Sequence, residues 1–148
     1  MPTAREALDA TGTMFKDAWD ASGLTTGKLI QWDNVQAVNP PGQDADGQPE
    51  IYAKFFMRHA TGDQRSLAAP DGRRKFTHVG TMTIQTFTPS GMGTGAPLDV
   101  AQVVKHAFEG KKSLNNVWFR DVRYNERGTE GNHYQIDVLA TFEYDEIR

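Results

Sequence analysis

The sequence predicts an α+β fold, with two helices packed on a mainly antiparallel or mixed sheet of about four to five strands and a long hairpin loop. Three observations lead to this prediction. Apolar residues recur at helical spacing in two segments, 3–21 and 96–109. Several shorter segments are rich in β-branched residues or alternate between apolar and polar side chains, as strands do. The order helix, short strand, hairpin, helix, hairpin is typical of helices gathered on one face of a sheet.

The first predicted element is an amphipathic helix from Thr3 to Ala21. Thr3 and Glu6 have the spacing of a capping box, in which each side chain bonds the other residue's backbone N–H. Apolar and small residues then recur at spacings of three and four: Ala4, Ala7, Leu8, Thr11, Phe15, Ala18 and Trp19. Ser22-Gly23 ends the helix, because glycine adopts the left-handed conformation at little cost.

Two less regular segments follow this helix. Lys28 to Trp32 is a candidate for a short strand. Asn39 to Pro49 contains turn-forming residues and almost no apolar side chain, so it is predicted to be an exposed loop.

The middle of the chain predicts an antiparallel hairpin with a long connection. Ile51 to Arg58 alternates, with Ile51, Ala53, Phe55 and Met57 on one face. Arg74 to Thr88 is rich in threonine and β-branched residues and is expected to pair with it. The polar connection from Thr61 to Arg73 is too long for a tight turn, and loops of this length are usually functional or disordered.

The last third of the chain predicts a helix and a second hairpin. A glycine-rich connection, Pro89 to Gly95, leads into a helix from Ala96 to Glu109. Its inward positions are Leu98, Ala101, Val104 and Phe108, and Gly110 is its stop. Two strands, Val117 to Tyr124 and His133 to Tyr144, are expected to be joined by the loop Asn125 to Asn132. The final strand has the clearest two-residue alternation in the chain.

Length and composition indicate one domain over residues 1–148, since no boundary separates two cores. The net charge of −3 is too balanced to predict a nucleic-acid or anionic-membrane surface. With no cysteine there is neither a disulfide framework nor thiolate chemistry. No stretch approaches the roughly 18 apolar residues of a membrane helix, so no membrane contact is expected and the chain is expected to be soluble.

No sequence motif indicates catalysis, a metal or a cofactor, so the chain is not expected to be an enzyme. The glycine-rich run before the second helix lacks the Lys and Ser/Thr of a phosphate-binding loop, and Ala96-Pro97 stands there instead. The histidines share no metal-ligand spacing: His59, His78, His106 and His133. Paired carboxylates such as Asp145 and Glu146 are expected to be solvated, and no Gly-x-Ser-x-Gly motif exposes a nucleophile.

Charged residues around the long hairpin loop are the candidate partner-contact site. They are Asp63, Arg65, Asp71, Arg73, Arg74 and Lys75. Mixed charges on an adaptable loop can set the orientation and association rate of a docking partner. The alternative interpretation, a solvated tip that keeps a hairpin soluble, is equally open.

The final hairpin raises the question of what covers the sheet. Trp118, Phe119 and Tyr124 lie on its first strand, where aromatic residues are more often core than interface. Two helices cover only one face of a small sheet, and the other face is then left to a partner. This consideration favours assembly with other subunits.

The element order together with several short strings resembles the tail terminator or tail-completion proteins of long-tailed phages. The strings are Arg5-Glu-Ala-Leu8, Ile30 to Val35, Ile51 to Arg58, Thr83 to Gly95, Ala107-Phe-Glu-Gly110 and Tyr134 to Tyr144. Together these strings sample nearly the whole chain. They are structural in character, so the resemblance assigns no individual binding residue.

The resemblance implies a structural virion protein at the head-proximal end of the tail, assembled in the cytoplasm of the bacterial host. Its subunits would form a homo-oligomeric, hexameric ring that caps the tail tube protein, ends tail polymerisation and joins the tail to a head-completion or neck protein. Genome DNA would pass through the lumen without sequence reading. Such a ring needs two complementary side surfaces on each subunit.

Two other functions remain open at this point. One is a different neck, connector or minor tail protein, since these share small α+β folds. The other is a small anion- or ligand-binding domain that uses Gly91 to Gly95 at the start of the second helix.

Overall fold

The computed structural model describes residues 2–23, 29–35, 42–43, 46–66, 71–91, 93–113 and 115–148. These residues form two helices and a five-stranded mixed sheet, which confirms the predicted fold class. The elements are α1 Ala4–Ala21, β1 Leu29–Trp32, β2 Tyr52–Gln64, β3 Lys75–Pro89, α2 Gly95–Phe108, β4 Trp118–Glu130 and β5 His133–Ile147. Within the described ranges, neither helix is long and apolar enough to cross a membrane.

The sheet has the strand order β1-β2-β3-β5-β4, so β3 and β5 lie at its centre. The predicted β2–β3 and β4–β5 hairpins are both present and antiparallel. β3 also pairs antiparallel with β5, whereas β1 runs parallel to β2, from Leu29 opposite Tyr52 to Trp32 opposite Phe55. Both helices pack on one face of this sheet, here called the inner face, and the opposite face is called the outer face.

The first helix forms as its sequence predicts. Thr3 accepts a hydrogen bond from the Glu6 backbone, and Glu6 accepts one from the Thr3 backbone, so the capping box is complete. Phe15 and Trp19 are buried on the sheet side of the helix. The Phe15 ring stacks against Phe55 of β2, with 6.0 Å between ring centroids, and also contacts the edge of Trp32 on β1. This aromatic cluster fixes α1 over the β1–β2 end of the sheet.

The second helix supplies the rest of the inner layer. It begins at Gly95 with Pro97 in its first turn, where a missing N–H costs little. Of the predicted inward residues Ala101, Val104 and Phe108 are buried and Leu98 is partly buried, and Val100 and Ala107 are also buried. Phe108 meets the edge of Phe119 on β4 at 4.8 Å between centroids. α2 therefore covers the β3–β5–β4 part of the sheet.

Two predicted loops are shorter than expected. The connection from Thr61 to Arg73 was expected to be loop, but its first four residues, through Gln64, belong to β2. The predicted loop from Asn125 to Asn132 is also wrong, because β4 continues to Glu130 and only a two-residue turn remains. Both segments are polar on both faces, so they lack the alternation that marks a strand, and pairing with the longer β3 and β5 extends them.

The remaining predicted segments fall partly outside the described residues. Lys28, residues 39–41 and 44–45 of the predicted loop before β2, and residues 67–70 of the long hairpin loop are among these. The described part of the Asn39–Pro49 loop contains a bridge between Gln43 and Pro49, next to the turn residues Asp46 and Gly47.

Gly80 shows how closely β2, β3 and β5 approach one another. A Cβ atom at this position would overlap the carbonyl oxygen of Arg58 and the Phe142 ring. Gly95, at the first turn of α2, has no atom within 4 Å of its own hypothetical Cβ. The two positions form a matched pair for substitution.

Replacing Gly80 with alanine is expected to reduce the free energy of unfolding by about 1–3 kcal/mol, because the methyl group overpacks the sheet. Gly95→Ala is expected to be neutral or to stabilise by about 0.5 kcal/mol, since it restricts the unfolded chain without a clash. Urea unfolding followed by tryptophan fluorescence measures both. Equal stabilities for the two variants would contradict the packing described for Gly80.

Candidate functional site

Three strands form the end of the sheet that carries the long hairpin connection. The arm is defined here as residues 58–64 of β2, 75–80 of β3 and 142–147 of β5. Every residue of its β2 segment is exposed. A bulge between His59 and Thr61 increases the local twist of this edge. Phe142 and Tyr144 within the arm are fully buried and belong to the hydrophobic core, so the exposed parts of the arm are its β2 edge and its tip.

The six predicted partner-contact residues lie at the tip of this arm. Asp63 is on β2, Lys75 begins β3, and Arg65, Asp71, Arg73 and Arg74 lie in the connection between these strands. The structure therefore brings them to one end of the molecule. Backbone bonds hold this tip closed: Arg65 N–H donates to Lys75, and Arg74 exchanges two backbone bonds with Arg148.

Most of the basic side chains at the tip have acidic neighbours in the same chain. Arg65 lies 3.8 Å from Asp63, and Arg73 lies 2.6 Å from Asp71. Lys75 lies 2.9 Å from Asp145. Among the described residues, Arg74 has no acidic partner within ion-pair distance. The tip is thus a mixed-charge surface with one basic side chain available to a partner.

The carboxylates of Asp145 and Glu146 are not solvated as the sequence suggested. Asp145 has 12% of its side chain exposed, accepts a hydrogen bond from Thr77 Oγ1 at 2.6 Å and pairs with Lys75. These partners lower the pKa of Asp145 against the opposing effect of burial, which is the largest single influence on it. Glu146 bonds His78 at 3.0 Å. The neighbouring strand supplies both partners, so only the register reveals them.

The inner face of the arm carries a cluster of histidine and aromatic side chains. His59 Nε2 lies 2.7 Å from the Tyr144 hydroxyl, and the His59 ring meets the edge of Phe142 at 5.2 Å. His78 stacks on Tyr144 with 5.0 Å between centroids. Gly62 leaves room for this arrangement, because a Cβ there would lie 2.8 Å from His78 Nδ1. His78 and His133 do not face each other, since His133 is at the opposite end of the sheet.

Partial desolvation acts on two groups of this cluster, although His59 as a whole residue lies on the exposed edge strand. Desolvation, with a smaller contribution from His78, lowers the pKa of His59. Desolvation, with a smaller contribution from Glu146, raises the pKa of Tyr144. Both effects favour the neutral forms of these two groups, which meet through a hydrogen bond and a ring contact.

The outer face of the sheet has a central row of half-buried side chains, two of them apolar and one a threonine. Phe56, Thr83 and Leu139 lie side by side across β2, β3 and β5, and Val79 lies nearby toward the arm. No helix of the described chain packs on this face. Arg58, paired with Asp33, and Arg120, paired with Glu143, flank the row. We call Phe56, Val79, Thr83 and Leu139 the outer-face patch.

Trp118 stands beside this patch at the start of β4. It lies opposite Glu143, which in turn lies opposite Val79, so its side chain belongs to the outer face. It is 41% exposed, whereas its neighbour Phe119 is buried on the inner face. The sequence interpretation that favoured the core is therefore wrong for Trp118 and right for Phe119. Their alternation along the strand explains the difference.

The end of the outer face away from the arm is polar and more enclosed. Tyr52 stacks on Phe87 at 4.4 Å between centroids, and His133 Nε2 lies 3.0 Å from the Glu50 carbonyl oxygen. Asp137 is 4% exposed and accepts a hydrogen bond from Gln135 at 2.8 Å. Burial raises the pKa of Asp137, and the hydrogen bond from Gln135 acts in the opposite direction. The shallow hollow here has a volume of about 390 Å³ and is lined by polar and charged residues such as Lys54, Gln85 and Glu130.

The structure gives the anion-site alternative little support. α2 begins at a glycine-rich turn, and its N-cap Thr94 makes no side-chain capping bond. Pro97 removes one of the N–H donors that an anion would use. Across the described ranges, no group of three or more His, Asp or Glu residues is placed to hold a metal ion.

Two features of these surfaces are not evident from the sequence. The meeting of His59, His78, Tyr144 and Glu146 depends on the register of three strands. The exposure of the apolar residues Leu8, Leu29 and Val35 near β1 is the second feature. The helical spacing of Leu8 in fact favoured burial. The sequence does contain a signal for Trp118. It stands next to Phe119 on a strand, and adjacent strand residues point to opposite faces of the sheet, so only one of the two can face the helices.

Comparisons with known proteins show a shared fold. Neither a protein-family model nor a curated protein matches the chain. Eighteen chains of solved structures do match. One of them, whose name describes no activity, ligand or partner, is 15% identical, with 99% of this chain and 97% of that chain covered and a TM-score of 0.66. At this identity the likeness shows the fold alone.

The lowered pKa of His59 predicts a pH dependence of stability. The folded chain disfavours the imidazolium, so the unfolded chain takes up the proton first as the pH falls through about 6.5. The His59 contribution to folding is therefore intact above that pH and decreases below it. His59→Gln is expected to reduce the loss of unfolding free energy between pH 7.5 and pH 5.5, measured by urea unfolding. His106→Gln, on the exposed side of α2, is the control, and identical pH slopes in all three proteins would contradict the prediction.

Proposed function

We propose that this protein is a structural subunit of a long-tailed phage that forms a hexameric ring, caps the tail tube and joins the tail to the head. The observation that carries the proposal is the sheet covered by helices on one face only. Its outer face presents the outer-face patch and the exposed Trp118. Half-buried apolar side chains of this kind are suited to contact with another protein.

The resemblance of the sequence to tail terminator proteins supports the same function. The strings that carry it lie on α1, β1, β2, β3, α2 and β5, and these elements build the observed fold. The fold itself is compatible with many functions, so the choice among them rests on the surfaces and on the resemblance.

The arm is the element that we assign to the tube. Its tip combines three ion pairs with Arg74, which has no acidic partner within ion-pair distance among the described residues. A stiff, strand-paired projection with a mixed-charge end can hold a defined orientation against a flat ring of tube subunits. The opposite end of the sheet is then directed toward the head-completion or neck protein.

The charge balance supports a lumen through which DNA passes without being held. The chain has 16 basic and 19 acidic residues. A strongly basic lumen would bind phosphates and retain the genome through counterion release. A nearly balanced, slightly acidic subunit avoids that retention.

The central prediction of this function is assembly. Purified protein, alone or with purified tail tubes, is expected to form rings of uniform diameter and sixfold symmetry that cover tube ends. Light scattering after size exclusion and negative-stain images measure this. A chain that stays monomeric in the presence of tubes and leaves their ends bare would sink the proposal, and specific nucleotide binding would favour the anion-binding alternative.

The arm assignment predicts that reversing the charge of Arg74 weakens capping. Arg74→Glu removes the available basic side chain at the tip and is expected to lower affinity for tube ends about tenfold, without affecting ring formation. Arg127→Glu, an exposed residue at the other end of the sheet, is the matched control and should cap normally. Sedimentation of rings with tubes at several salt concentrations gives both affinities. Equal binding by the two variants would exclude the tip from the tube contact.

A further inference from the structure

The shallow hollow on the outer face lies at the end of the sheet opposite the arm. Its volume is about 390 Å³, and the strands β2, β3, β5 and β4 all contribute to it. Its lining includes Lys54, Gln85, Gln135, Arg127 and Glu130. A cavity of this volume is within the range of small-ligand sites. We call it the polar hollow.

An irregularity of β4 leaves space on this side of the hollow. The strand has a bulge between Glu126 and Gly128, and Gly128 stands opposite Gln135. A Cβ at Gly128 would meet no atom within 4 Å, and the φ of 91° favours glycine there. No side chain of β4 therefore stands directly beside Gln135. Bulges also redirect neighbouring side chains, and Arg127 lies within this one and lines the hollow.

Four hydrogen-bond donors of the polar hollow are not used up within the chain. Lys54 and Arg127 have no acidic group within ion-pair distance among the described residues. The Gln85 side chain makes no hydrogen bond in that part of the chain, and Gln135 uses one of its two amide hydrogens for Asp137. Gln135 is only 5% exposed, and an unbonded donor is costly in such a position.

The unpaired cations of the hollow contrast with the other charges of the outer face. Arg58 pairs with Asp33, and Arg120 pairs with Glu143. Lys54 instead lies over the Phe87 ring, 5.4 Å from its centroid. The four donors come from four different strands and meet at one place, so an incoming group that accepts hydrogen bonds has partners on every side.

The charges of the lining favour a singly charged anion. Lys54 and Arg127 supply two positive charges and Glu130 supplies one negative charge, which leaves +1 with His133 neutral. An ionised carboxyl group has one negative charge and about four lone-pair sites for hydrogen bonds. It therefore matches both the net charge of the lining and its four donors. Hydrogen bonds from charged donors to a carboxylate are among the stronger ones in proteins.

Asp137 makes the hollow less suited to a doubly charged phosphate. It is 4% exposed and accepts the hydrogen bond from Gln135. Burial raises the pKa of Asp137, while the Gln135 bond and the charge of Arg127 act in the opposite direction. A phosphate would bring two negative charges close to Asp137 and Glu130, whereas a carboxylate brings one.

We propose that the polar hollow binds a carboxylate group, with Lys54 and Arg127 pairing with its charge and Gln85 and Gln135 donating to its oxygens. The group belongs either to a free acid or to an acidic side chain of a partner protein, and the same contacts recognise both. In the second case Glu130 is placed to accept a backbone N–H of the partner. The inference goes beyond the proposed function and does not rest on it, because the hollow is complete in a single chain.

The test is a titration of the ¹⁵N-labelled full chain, followed by backbone amide chemical shifts at constant ionic strength. The probes are glutarate as the free acid and N-acetylglutamate methylamide as the side-chain form. N-acetylglutamine methylamide is the matched neutral probe, and inorganic phosphate is the competing anion. Both acidic probes are expected to shift amides at 52–56, 84–87 and 133–137, with a Kd on the order of 1 mM. The neutral probe is expected to leave these signals in place.

Three variants locate the binding group. Lys54→Gln is expected to weaken binding of the acidic probes about tenfold, because it removes a charged hydrogen-bond donor. Arg127→Gln changes an exposed residue, so it keeps the test valid if Lys54→Gln unfolds, and its expected loss is similar. Lys111→Gln removes the same charge at an exposed position after α2 and is the control that should bind as wild type does. Thermal unfolding of each variant checks its folding.

The outcomes identify the source of the carboxylate and separate this inference from the proposed function. Binding of glutarate alone indicates a free acid, and tighter binding of the peptide-like probe indicates a partner side chain; both support the site. Equal binding of the neutral probe, tighter binding of phosphate, or unchanged affinity in Lys54→Gln and Arg127→Gln overturns it. Rings that cap tubes without binding either acid overturn this inference alone. A chain that binds the acids but never caps tubes overturns only the proposed function.

Discussion

The antiparallel ladder between β3 and β5 is the constraint on which the rest of the structure depends. It runs without a break from Lys75 opposite Ile147 to Pro89 opposite His133. Both strands have 15 residues, whereas the helices have 18 and 14. A strand rises about 3.4 Å per residue and a helix only about 1.5 Å, so each strand is longer than either helix and no single helix covers its whole length. The stretch of the ladder beneath the helices therefore forms the base of the core, and the other stretch forms the arm.

The aromatic contacts of α1 determine where the core ends. Phe15 meets Trp19, Trp32 and Phe55, so the helix is held over β1 and β2 and is not centred on the sheet. α2 then occupies the remaining inner face, where Phe108 contacts Phe119. A groove of about 640 Å³ lies beside this cluster, and Leu8, Trp32 and Val35 are among the residues that line it. The packing of α1 that stabilises the core therefore also determines the shape of the surface beside this helix.

The sequence predicted the elements whose pattern reflects burial and missed those whose structure depends on pairing. The α1 capping box and the alternation along β5 are local signals, and both elements were predicted nearly to their ends. Gln64 and Glu130 lie in strand segments that are polar on both faces, so nothing in their composition distinguishes them from loop. The six charged residues at the tip of the arm are close along the chain, but the ion pair of Lys75 with Asp145 on β5 and the backbone contact of Arg74 with Arg148 join positions some 70 residues apart. Side-chain register over that separation is invisible to a single sequence.

The two edges of the sheet suit side-chain contact better than strand addition. β4 has bulges between Arg120 and Arg123 and between Glu126 and Gly128, and Asp121 in the first bulge takes a left-handed conformation with φ of 54°. Bulges and charged residues on an edge disfavour backbone pairing with another sheet, which would otherwise extend without limit. β1 offers only four residues on the other edge. Trp118 precedes the first bulge and keeps regular strand geometry, so its side chain is held in a defined direction. The bulges of β4 therefore protect this edge of the open sheet against uncontrolled growth by strand addition.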